Sequence, residues 1–224
     1  MKKSFLYIFL LLTGFYSCTE FLSPDVEEES IEIISPIDSL YVSDSAVSFW
    51  WEENEDAENY RFQLVSPDFD NPSLIFDTLM LDRLIGLSLD EGSYLWRVRI
   101  ENEGSESMYQ TRSFVLDNTA PNIPEPISPI SGGVLDINTQ LLSWQSADSP
   151  INGEIYRVKD SAFIFSSGPT PALLGSALID FESEKKWDIS DLSLEAGKSY
   201  SWKIVSIDRA GNRRESGSFS FTLN

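Results

Sequence analysis

The chain has 224 residues, of which 42% are hydrophobic, and it carries a formal net charge of −20 at pH 7. This length suits one large or two small domains, and the excess of acid argues against binding to nucleic acids or anionic membrane surfaces, since like charges repel. The sequence has no histidine, which excludes Ser-His-Asp and Cys-His nucleophile systems and histidine-ligated metal sites.

The N-terminal segment has the pattern of a signal peptide. Lys2 and Lys3 precede an apolar run from residue 5 to residue 15, which is too short to span a bilayer comfortably. The run is followed by Cys18, the only cysteine of the chain, so internal disulfides are excluded. We therefore assign residues 1–17 to a signal peptide. An ordinary secretory signal with an incidental cysteine is the alternative.

A cysteine that closes such a segment resembles the lipobox of bacterial lipoproteins. The tripeptide before Cys18, Phe-Tyr-Ser, departs from the usual Leu-small-small pattern. This looser form, after a Met-Lys-Lys start, is similar to lipoproteins of the Bacteroidetes group. The resemblance implies that Cys18 is lipidated, becomes the first mature residue and anchors the protein in the outer membrane.

Residues 18–30 are predicted to be the lipidated cysteine and an acidic tether. They contain Pro24 and an acidic run at residues 25–29, with no period that would bury one face. An acidic segment shortly after the cysteine resembles the export signal of Bacteroidetes surface lipoproteins, which favours the cell surface over the periplasmic face. A solvated spacer is the alternative.

Residues 31–117 predict a first β-sandwich domain. Alternating apolar residues indicate strands at residues 31–36, 47–51, 60–64, 94–101 and 108–116, with one or two more between residues 74 and 85. No segment shows a convincing helical period of 3.6 residues. The segment is therefore predicted to be all-β.

A Pro-rich stretch at residues 118–126 predicts an extended, semi-rigid linker. Residues 127–224 then repeat the order of the first unit and predict a second domain. Its strands are indicated at residues 127–129, 140–144, 154–165, 187–189 and 219–223, with a longer insert at residues 166–184. Strands separated by turns every eight to twelve residues are typical of a β-sandwich. The chain is thus predicted to contain two tandem sandwiches.

A repeated motif supports two equivalent units. Leu-Ser-Leu, an acidic residue, a glycine and Tyr-x-Trp occur at residues 87–96 and again at residues 192–202. Tyr94 and Trp96 in the first copy therefore correspond to Tyr200 and Trp202 in the second.

Both units resemble fibronectin type III modules or their close bacterial Ig-like relatives. The shared features are a tryptophan on an early strand, a tyrosine before the long alternating strand, and a Leu-x-x-Gly approach to that tyrosine. The resemblance implies that Tyr94 and Tyr200 form a corner in which the hydroxyl bonds to nearby backbone. The turn at residues 208–212, Asp-Arg-Ala-Gly-Asn, resembles one that is frequent in bacterial copies.

The alternation of side chains along a strand predicts opposite orientations for the adjacent residues Trp50 and Trp51. Trp51, Trp96, Trp144 and Trp202 share the inward phase and are predicted to form the two cores. Because adjacent strand residues face opposite sides, Trp50 is predicted to face outward, as a sugar-stacking platform or a partner contact. The alternative is that the tether or the next module covers Trp50.

The abundant carboxylates do not suggest catalysis. Glycosidases need two acids at a defined separation, one with a raised pKa, whereas the acidic clusters at residues 52–56, 68–70 and 101–103 fall in predicted loops. Asp68 and Asp70 offer oxygen ligands of the kind that Ca²⁺ takes, but the EF-hand spacing is absent. We predict a protein that is not an enzyme and has no catalytic residue, metal site or cofactor.

These observations lead to two functional hypotheses. The first is a non-catalytic outer-membrane lipoprotein that acts as an accessory or structural subunit by binding another outer-membrane protein. The second is a surface glycan-binding lipoprotein of a polysaccharide-uptake system. Aromatic residues lined up on one sheet face would favour glycan binding, and a broad apolar patch would favour a protein partner. The fold alone does not separate them.

Overall fold

The structure is a computed structural model that describes residues 23–70, 73–146, 148, 150–151, 154–155, 158–180 and 184–224. These residues are almost all in strands, turns and loops, with one short 3₁₀ turn at Ser190–Leu192. None of the described residues belongs to a helix with the length and hydrophobicity that a membrane crossing requires. The prediction for Cys18 lies outside the described residues.

Within the described residues, nine strands form the first sandwich, which we call sandwich 1. They are β1 (Ile33–Ser35), β2 (Leu40–Val42), β3 (Ala46–Trp51), β4 (Tyr60–Ser66), β5 (Ser73–Met80), β6 (Leu84–Ser88), β7 (Gly92–Asn102), β8 (Ser105–Glu106) and β9 (Gln110–Leu116). One sheet has the order β1-β3-β6. The other has the order β2-β9-β7-β4-β5, and β8 pairs with β7.

The described part of the second half forms eleven strands, which we call sandwich 2. They are β10 (Glu125–Ser128), β11 (Gly133–Leu135), β12 (Leu141–Gln145), β13 (Pro150–Ile151), β14 (Glu154–Ile155), β15 (Lys159–Ser166), β16 (Leu173–Ile179), β17 (Glu184–Asp188), β18 (Ser199–Ile207), β19 (Arg213–Glu215) and β20 (Phe219–Leu223). The sheet orders are β10-β12-β17 and β11-β20-β18-β15-β16, the same arrangement as in sandwich 1. β13 and β14 form a separate hairpin, and β19 pairs with β18.

Each sandwich has one short strand that runs parallel to the last strand. β2 pairs in parallel with β9, and β11 pairs in parallel with β20, whereas the other pairs of described strands are antiparallel. The sequence did not indicate β2 or β11, because three residues are too few to show a period of two.

The long central strand β7 shows why the cores form. Its residues alternate strictly between buried and half-buried positions from Gly92 to Asn102, as the period of two along a strand requires. Tyr94 and Trp96 face the interior, and Arg97 and Arg99 face outward. The apolar half of the pattern thus fills the space between the two sheets.

Aromatic rings dominate the core of sandwich 1. The rings of Trp51 and Phe62 are stacked, with their centroids 6.0 Å apart, and Phe49 meets Trp96 edge to face at 5.1 Å. In sandwich 2 fewer aromatic rings meet: the centroids of Trp144 and Trp202 are 6.0 Å apart, and those of Trp202 and Phe219 are 5.4 Å apart. Edge-to-face and offset contacts of this kind stabilise cores beyond the area they bury.

The segment that was predicted to be a solvated tether packs against sandwich 1 from Pro24 onward. Val26 is fully buried and belongs to the core cluster of sandwich 1. The Asn102 side-chain amide donates to the carbonyl oxygen of Pro24 at 3.0 Å, and the Val26 N–H donates to Ser105 Oγ at 3.1 Å. A single valine among acidic residues has no period, so this contact is not predictable from the local sequence pattern.

Two further segments contain strand residues at positions that the sequence did not predict. β10 begins at Glu125, within the range predicted to be linker. The predicted insert at residues 166–184 contains β16, which pairs with β15 as the outermost strand of its sheet. Gly175 in β16 lies close to Leu192, since a Cβ at this glycine would come within 2.7 Å of Leu192 Cδ2.

Candidate functional site

Trp50 lies on the outer face of the three-stranded sheet of sandwich 1. It is 44% exposed, and its cross-strand neighbour Leu84 is 57% exposed. The next pair on the same face of the sheet is Ser48 with Gly86, and a Cβ at Gly86 would meet no atom within 4 Å. Among the described residues Trp50 is the one exposed aromatic side chain. Among the described residues, this face therefore presents a single exposed aromatic ring beside open space at Gly86.

The other four predicted tryptophans are inside the sandwiches. Trp51, Trp96, Trp144 and Trp202 are each fully buried. They contact neighbouring core side chains and present no surface to a ligand.

The two tyrosines of the repeated motif both form corners. The Tyr94 hydroxyl donates to the carbonyl oxygen of Asp90 at 2.6 Å, while the Tyr200 hydroxyl accepts a hydrogen bond from the Glu195 N–H at 2.8 Å. Burial, followed by the nearby charge of Asp90, raises the pKa of Tyr94. Both tyrosines hold loops onto their sheets.

Sandwich 2 contains a buried ion pair that the sequence did not indicate. Asp160 and Lys185 are both fully buried, with the Lys185 Nζ 3.4 Å from Asp160 Oδ2. The same carboxylate oxygen accepts a hydrogen bond from the Trp144 indole at 2.5 Å, and Lys185 also donates to the carbonyl oxygen of Val158. The interior of this sandwich is thus polar at one end.

The outer face of the larger sheet in sandwich 1 is covered by stacked arginines. The Arg97 guanidinium lies 4.0 Å from the ring centroid of Phe69 and 4.1 Å from that of Tyr109. Arg99 lies over Tyr109 at 4.7 Å and pairs with Glu101 at 2.8 Å. These aromatic faces are already occupied by cations of the same chain, so they do not form an open stacking platform.

Two outermost strands expose aliphatic side chains. In sandwich 1, β5 exposes Leu74, Ile75 and Leu79, and its Asp77 pairs with Arg61 at 2.6 Å. In sandwich 2, β16 exposes Leu173, Leu174 and Leu178. No described strand pairs with the outer side of either one.

Strand β16 lacks the features that usually protect a sheet edge. Its sequence, Leu-Leu-Gly-Ser-Ala-Leu-Ile, has no charged residue and no proline, the residues that natural edge strands use to prevent further pairing. An open groove of about 340 Å³ lies at one end of β16, where Leu174 is joined by Leu192, Tyr200 and polar side chains of residues 193–199. A row of unpaired backbone groups next to apolar side chains is suited to receive an additional strand.

Three acidic side chains meet where the two sandwiches join. Asp117 follows the last strand of sandwich 1, Asp148 follows β12, and Asp208 follows β18. They are 3%, 4% and 5% exposed. Each offers a carboxylate oxygen that lies within 4.8 Å of the other two. We call this group the junction acids.

Asn212 holds two of the junction acids in place. Its backbone N–H donates to Asp208 Oδ1 at 2.9 Å, and its side-chain amide donates to Asp208 Oδ2 at 2.9 Å. The same amide donates to the carbonyl oxygen of Asp117 at 2.7 Å. The Thr119 N–H donates to Asp117 Oδ1 at 3.1 Å. Burial first, then the charges of Asp208 and Glu91, raises the pKa of Asp117 despite this hydrogen bond.

Arginines of sandwich 2 make further contacts across the junction. Arg209 Nη1 donates to the Tyr41 hydroxyl at 3.1 Å, with its guanidinium 5.4 Å from the centre of that ring. Arg214 donates to the carbonyl oxygen of Pro121 in the linker at 3.2 Å. Side chains of the turn after β18 and of β19 therefore bind both the linker and sandwich 1.

The sequence identified neither the junction acids nor the exposed strand β16. Asp117, Asp148 and Asp208 are separated by many residues, so no local spacing indicates that they meet. The Asp-Arg-Ala-Gly-Asn turn that contains Asp208 was the available signal. Asp68 and Asp70, the acids considered for Ca²⁺, instead form a local turn in which the Asp70 N–H donates to Asp68 Oδ1 at 3.0 Å.

No family model and no curated protein matches this sequence. Among solved structures, the FN1–FN3 domains of chicken CNTN1 are similar, with a TM-score of 0.41 at 11% identity over 85% of this chain and 66% of that chain. A two-domain fibronectin type III segment of chicken tenascin has a TM-score of 0.32 at 16% identity, over 85% and 95% of the two chains. The chicken interferon gamma receptor alpha chain has a TM-score of 0.36 at 14% identity, over 86% and 96%.

The strand order of the chain itself decides the fold. In each half, a sheet of three strands packs against a larger sheet whose central strands carry the tyrosine corner and the core tryptophan. The fold is a tandem of two fibronectin type III-like sandwiches. A fold of this kind does not by itself specify a function or a partner.

Proposed function

We propose that this chain is a non-catalytic, lipid-anchored outer-membrane protein that acts as an accessory or structural subunit by binding another protein of the same membrane. The observation that carries the proposal is the edge strand β16. Its exposed leucines and its lack of charge fit the addition of a strand from a partner, in which backbone hydrogen bonds give affinity and side-chain contacts give specificity.

The charge distribution favours this edge over the rest of the surface. The chain carries 36 acidic against 16 basic residues, so most of its surface repels other acidic proteins. Strand β16 is neutral over seven residues. A partner strand could approach this edge without placing its own charges against acidic side chains of β16.

The docked N-terminal segment supports a partner in the same membrane. Among the described residues, Pro24 already contacts sandwich 1, and it lies six residues after the cysteine proposed to carry the lipid. Six residues span at most about 20 Å when fully extended. Lipidation of Cys18 would therefore hold sandwich 1 close to the membrane surface, within reach of an integral membrane protein.

The glycan-binding alternative rests on Trp50. Its exposed ring beside the open surface at Gly86 would allow one sugar ring to stack. Since the exposed apolar side chains of the described residues are otherwise aliphatic, we favour a protein partner.

The proposal is tested by affinity isolation of the tagged protein from membranes in mild detergent. The test variant places lysines on the edge, Leu174→Lys with Leu178→Lys. The matched control places two lysines at exposed apolar positions elsewhere, Ile37→Lys with Met108→Lys, at side chains that are 59% and 76% exposed. A third sample carries Cys18→Ala to remove the lipid anchor.

We expect a stoichiometric membrane protein to be recovered with the unmodified chain and with the control variant. Its recovery should fall at least tenfold with the edge variant and should weaken with Cys18→Ala. Equal recovery with the edge and control variants would contradict a role for β16. Binding of an oligosaccharide that is lost in Trp50→Ala, with no protein recovered, would instead establish the glycan-binding alternative.

A further inference from the structure

We propose that Lys185 and Asp160 condense within the folded chain to a side-chain amide, an isopeptide bond that joins the two sheets of sandwich 2. Asp160 lies on β15 in the larger sheet, and Lys185 lies on β17 in the three-stranded sheet. The bond would make sandwich 2 a covalently cross-linked module. This inference goes beyond the proposed function and does not depend on a partner of β16.

The two reacting groups are already in contact. The Lys185 Nζ lies 3.4 Å from Asp160 Oδ2, and both side chains are fully buried. Groups held at about 3–3.5 Å with little freedom to move react far faster than the same groups in solution, because folding has already met the entropic cost of their encounter. Burial also keeps bulk water, which would reverse the reaction, away from the bond.

The interior of sandwich 2 favours the protonation states that react. An ammonium has no lone pair for attack and a carboxylate resists a nucleophile, but an interior that excludes water penalises both charged forms. Transfer of one proton from Lys185 to Asp160 removes both charges and leaves a neutral amine beside a neutral carboxylic acid. The pair therefore supplies its own proton transfer.

The condensation balances without an oxidant, a reductant or a second substrate. The Nζ lone pair attacks Asp160 Cγ, so that a C–N bond forms, and the Cγ–Oδ1 bond then breaks. Oδ1 leaves as water with two protons, the one transferred first and one more from Nζ. An ammonium and a carboxylate thereby become an amide and one water, and no atom is oxidised or reduced.

The groups around the pair fit the amide product. The Trp144 indole N–H donates to Asp160 Oδ2 at 2.5 Å, where it polarises the carboxyl group and stabilises negative charge on this oxygen during attack. The Lys185 Nζ donates to the carbonyl oxygen of Val158. The amide keeps both hydrogen bonds, since its C=O accepts from Trp144 and its single N–H donates to Val158.

The oxygen that the amide loses is the one that the ion pair leaves unsatisfied. Asp160 Oδ1 is buried and has no hydrogen-bond partner among the described residues. The Ser206 hydroxyl, on the residue directly opposite in β18, is buried and has none either, so it does not satisfy Oδ1. A buried carboxylate oxygen without a donor is costly, and the loss of Oδ1 as water removes that cost.

Sandwich 1 shows that the fold does not require a buried ion pair at this place. Tyr60 takes the position of Asp160, because each lies four residues before the residue that pairs with the core tryptophan, Trp96 or Trp202. No described lysine or arginine of sandwich 1 is buried. Since a buried ion pair is costly to desolvate, its occurrence in sandwich 2 alone points to a use other than packing.

Peptide mapping of the denatured protein detects the bond. Purified full-length protein is unfolded in urea, which separates an ion pair but not an amide, and is digested with a protease that cleaves after glutamate. Cleavage after residues 154, 182, 184 and 195 places Asp160 and Lys185 on separate peptides, 155–182 and 185–195. We expect one joined species whose mass is one water below the sum of the two peptides, with fragmentation placing the bond between these two side chains.

Two variants test the chemistry. Lys185→Arg keeps a cation but lacks the amine, and should give the two peptides separately. Trp144→Phe removes the N–H donor and should lower the joined fraction, measured at a fixed time after synthesis, at least tenfold. The matched control is Trp202→Phe, which should join as completely as the unmodified chain, because the Trp202 N–H has no hydrogen-bond partner among the described residues.

Three outcomes would overturn the inference. The first is recovery of only the separate peptides from the folded, unmodified chain. The second is a joined species in Lys185→Arg, which would place the bond at Lys186 on the same peptide. The third is equal condensation of the exposed pair Lys203 and Glu215, whose charged atoms are 2.5 Å apart, since burial would then not be what activates the reaction.

Discussion

The side-chain amide of Asn212 donates to the carbonyl oxygen of Asp117 at 2.7 Å. This hydrogen bond connects the turn after β18 in sandwich 2 to the residue that follows the last strand of sandwich 1. Asn212 also binds Asp208 through both its backbone and its side chain. One residue therefore fixes the conformation of a turn and joins the two sandwiches.

Replacing Asn212 with alanine should loosen the junction. The variant loses the two side-chain hydrogen bonds and keeps the backbone bond to Asp208, so the free energy of unfolding of sandwich 2 should fall by about 1–2 kcal/mol. Distance distributions between spin labels on the two sandwiches should broaden. Asn138→Ala is the control, because its exposed amide binds only Asp136, at 2.8 Å within one sandwich. An unchanged distribution in Asn212→Ala would show that other contacts set the junction.

Val26 tests the docking of the N-terminal segment. Val26→Ala removes buried methyl groups from the core of sandwich 1, and should lower its free energy of unfolding by about 2 kcal/mol. Urea denaturation followed by tryptophan fluorescence measures this change. Val134→Ala makes the same chemical change at a position that is 64% exposed, where a loss below about 0.5 kcal/mol is expected. Equal effects at the two positions would argue that the segment is not docked.

The contributions of the buried residues Asp160 and Lys185 to the free energy of unfolding should depend on each other. Lys185→Ala leaves the Asp160 carboxylate buried without its cation, and should cost about 3–5 kcal/mol. The double variant Asp160→Asn with Lys185→Met removes both charges and keeps an oxygen acceptor for Trp144, so it should be more stable than Lys185→Ala alone. Thermal unfolding of both variants makes the comparison. A double variant less stable than the single one would refute the expected coupling.

Asp38 should contribute to the acid dependence of stability. Hydrogen bonds from the Ser113 N–H and hydroxyl, at 2.8 and 2.9 Å, hold the pKa of Asp38 below its usual value. Because the folded-state pKa is the lower one, the contribution is present above the unfolded-state pKa of about 3.9 and is lost as the pH falls through the folded-state value.

The measurement for Asp38 is the free energy of unfolding from pH 2 to pH 7. Asp38→Asn should destabilise the protein at pH 6 by less than about 1 kcal/mol, since the side chain is exposed and screened. The difference from the unmodified chain should shrink below pH 3. A difference that stays constant across this range would mean that the charge of Asp38 makes no contribution.

Substitution of the two adjacent tryptophans should lower the free energy of unfolding by very different amounts. Trp51→Ala removes a fully buried ring and should cost about 3–5 kcal/mol. Trp50→Ala removes a ring that is 44% exposed, and should cost less than about 1 kcal/mol. Circular dichroism during urea denaturation compares the two. A large loss in Trp50→Ala would mean that another part of the chain packs on this ring.

The all-β fold followed from the sequence because its signals are local and repeated. The alternation along β7 and the tyrosine motif each occur within about ten residues, and the second copy fixes the phase of the first. The period of two along a strand predicts an outward Trp50 beside an inward Trp51 without knowledge of any other strand.

The features that depend on distant contacts did not follow from the sequence. Val26 is one apolar residue in an acidic segment, and its burial depends on Asn102 and Ser105 far along the chain. The junction acids come from three loops that only the packing of two sandwiches brings together. The exposed edge of β16 depends on which strand ends the sheet, which local pattern does not determine.

The proposed function requires that the β16 edge of the membrane-anchored chain receives a partner protein. It is tested most directly by placing a photo-crosslinking amino acid at Leu178 in the native cells, with the same probe at the exposed Met108 as control. We predict that illumination links position 178 to one membrane protein, and that Met108 and a Cys18→Ala background give little or none of this product. The absence of a crosslink at position 178, or an equal yield from Met108, would contradict the claim.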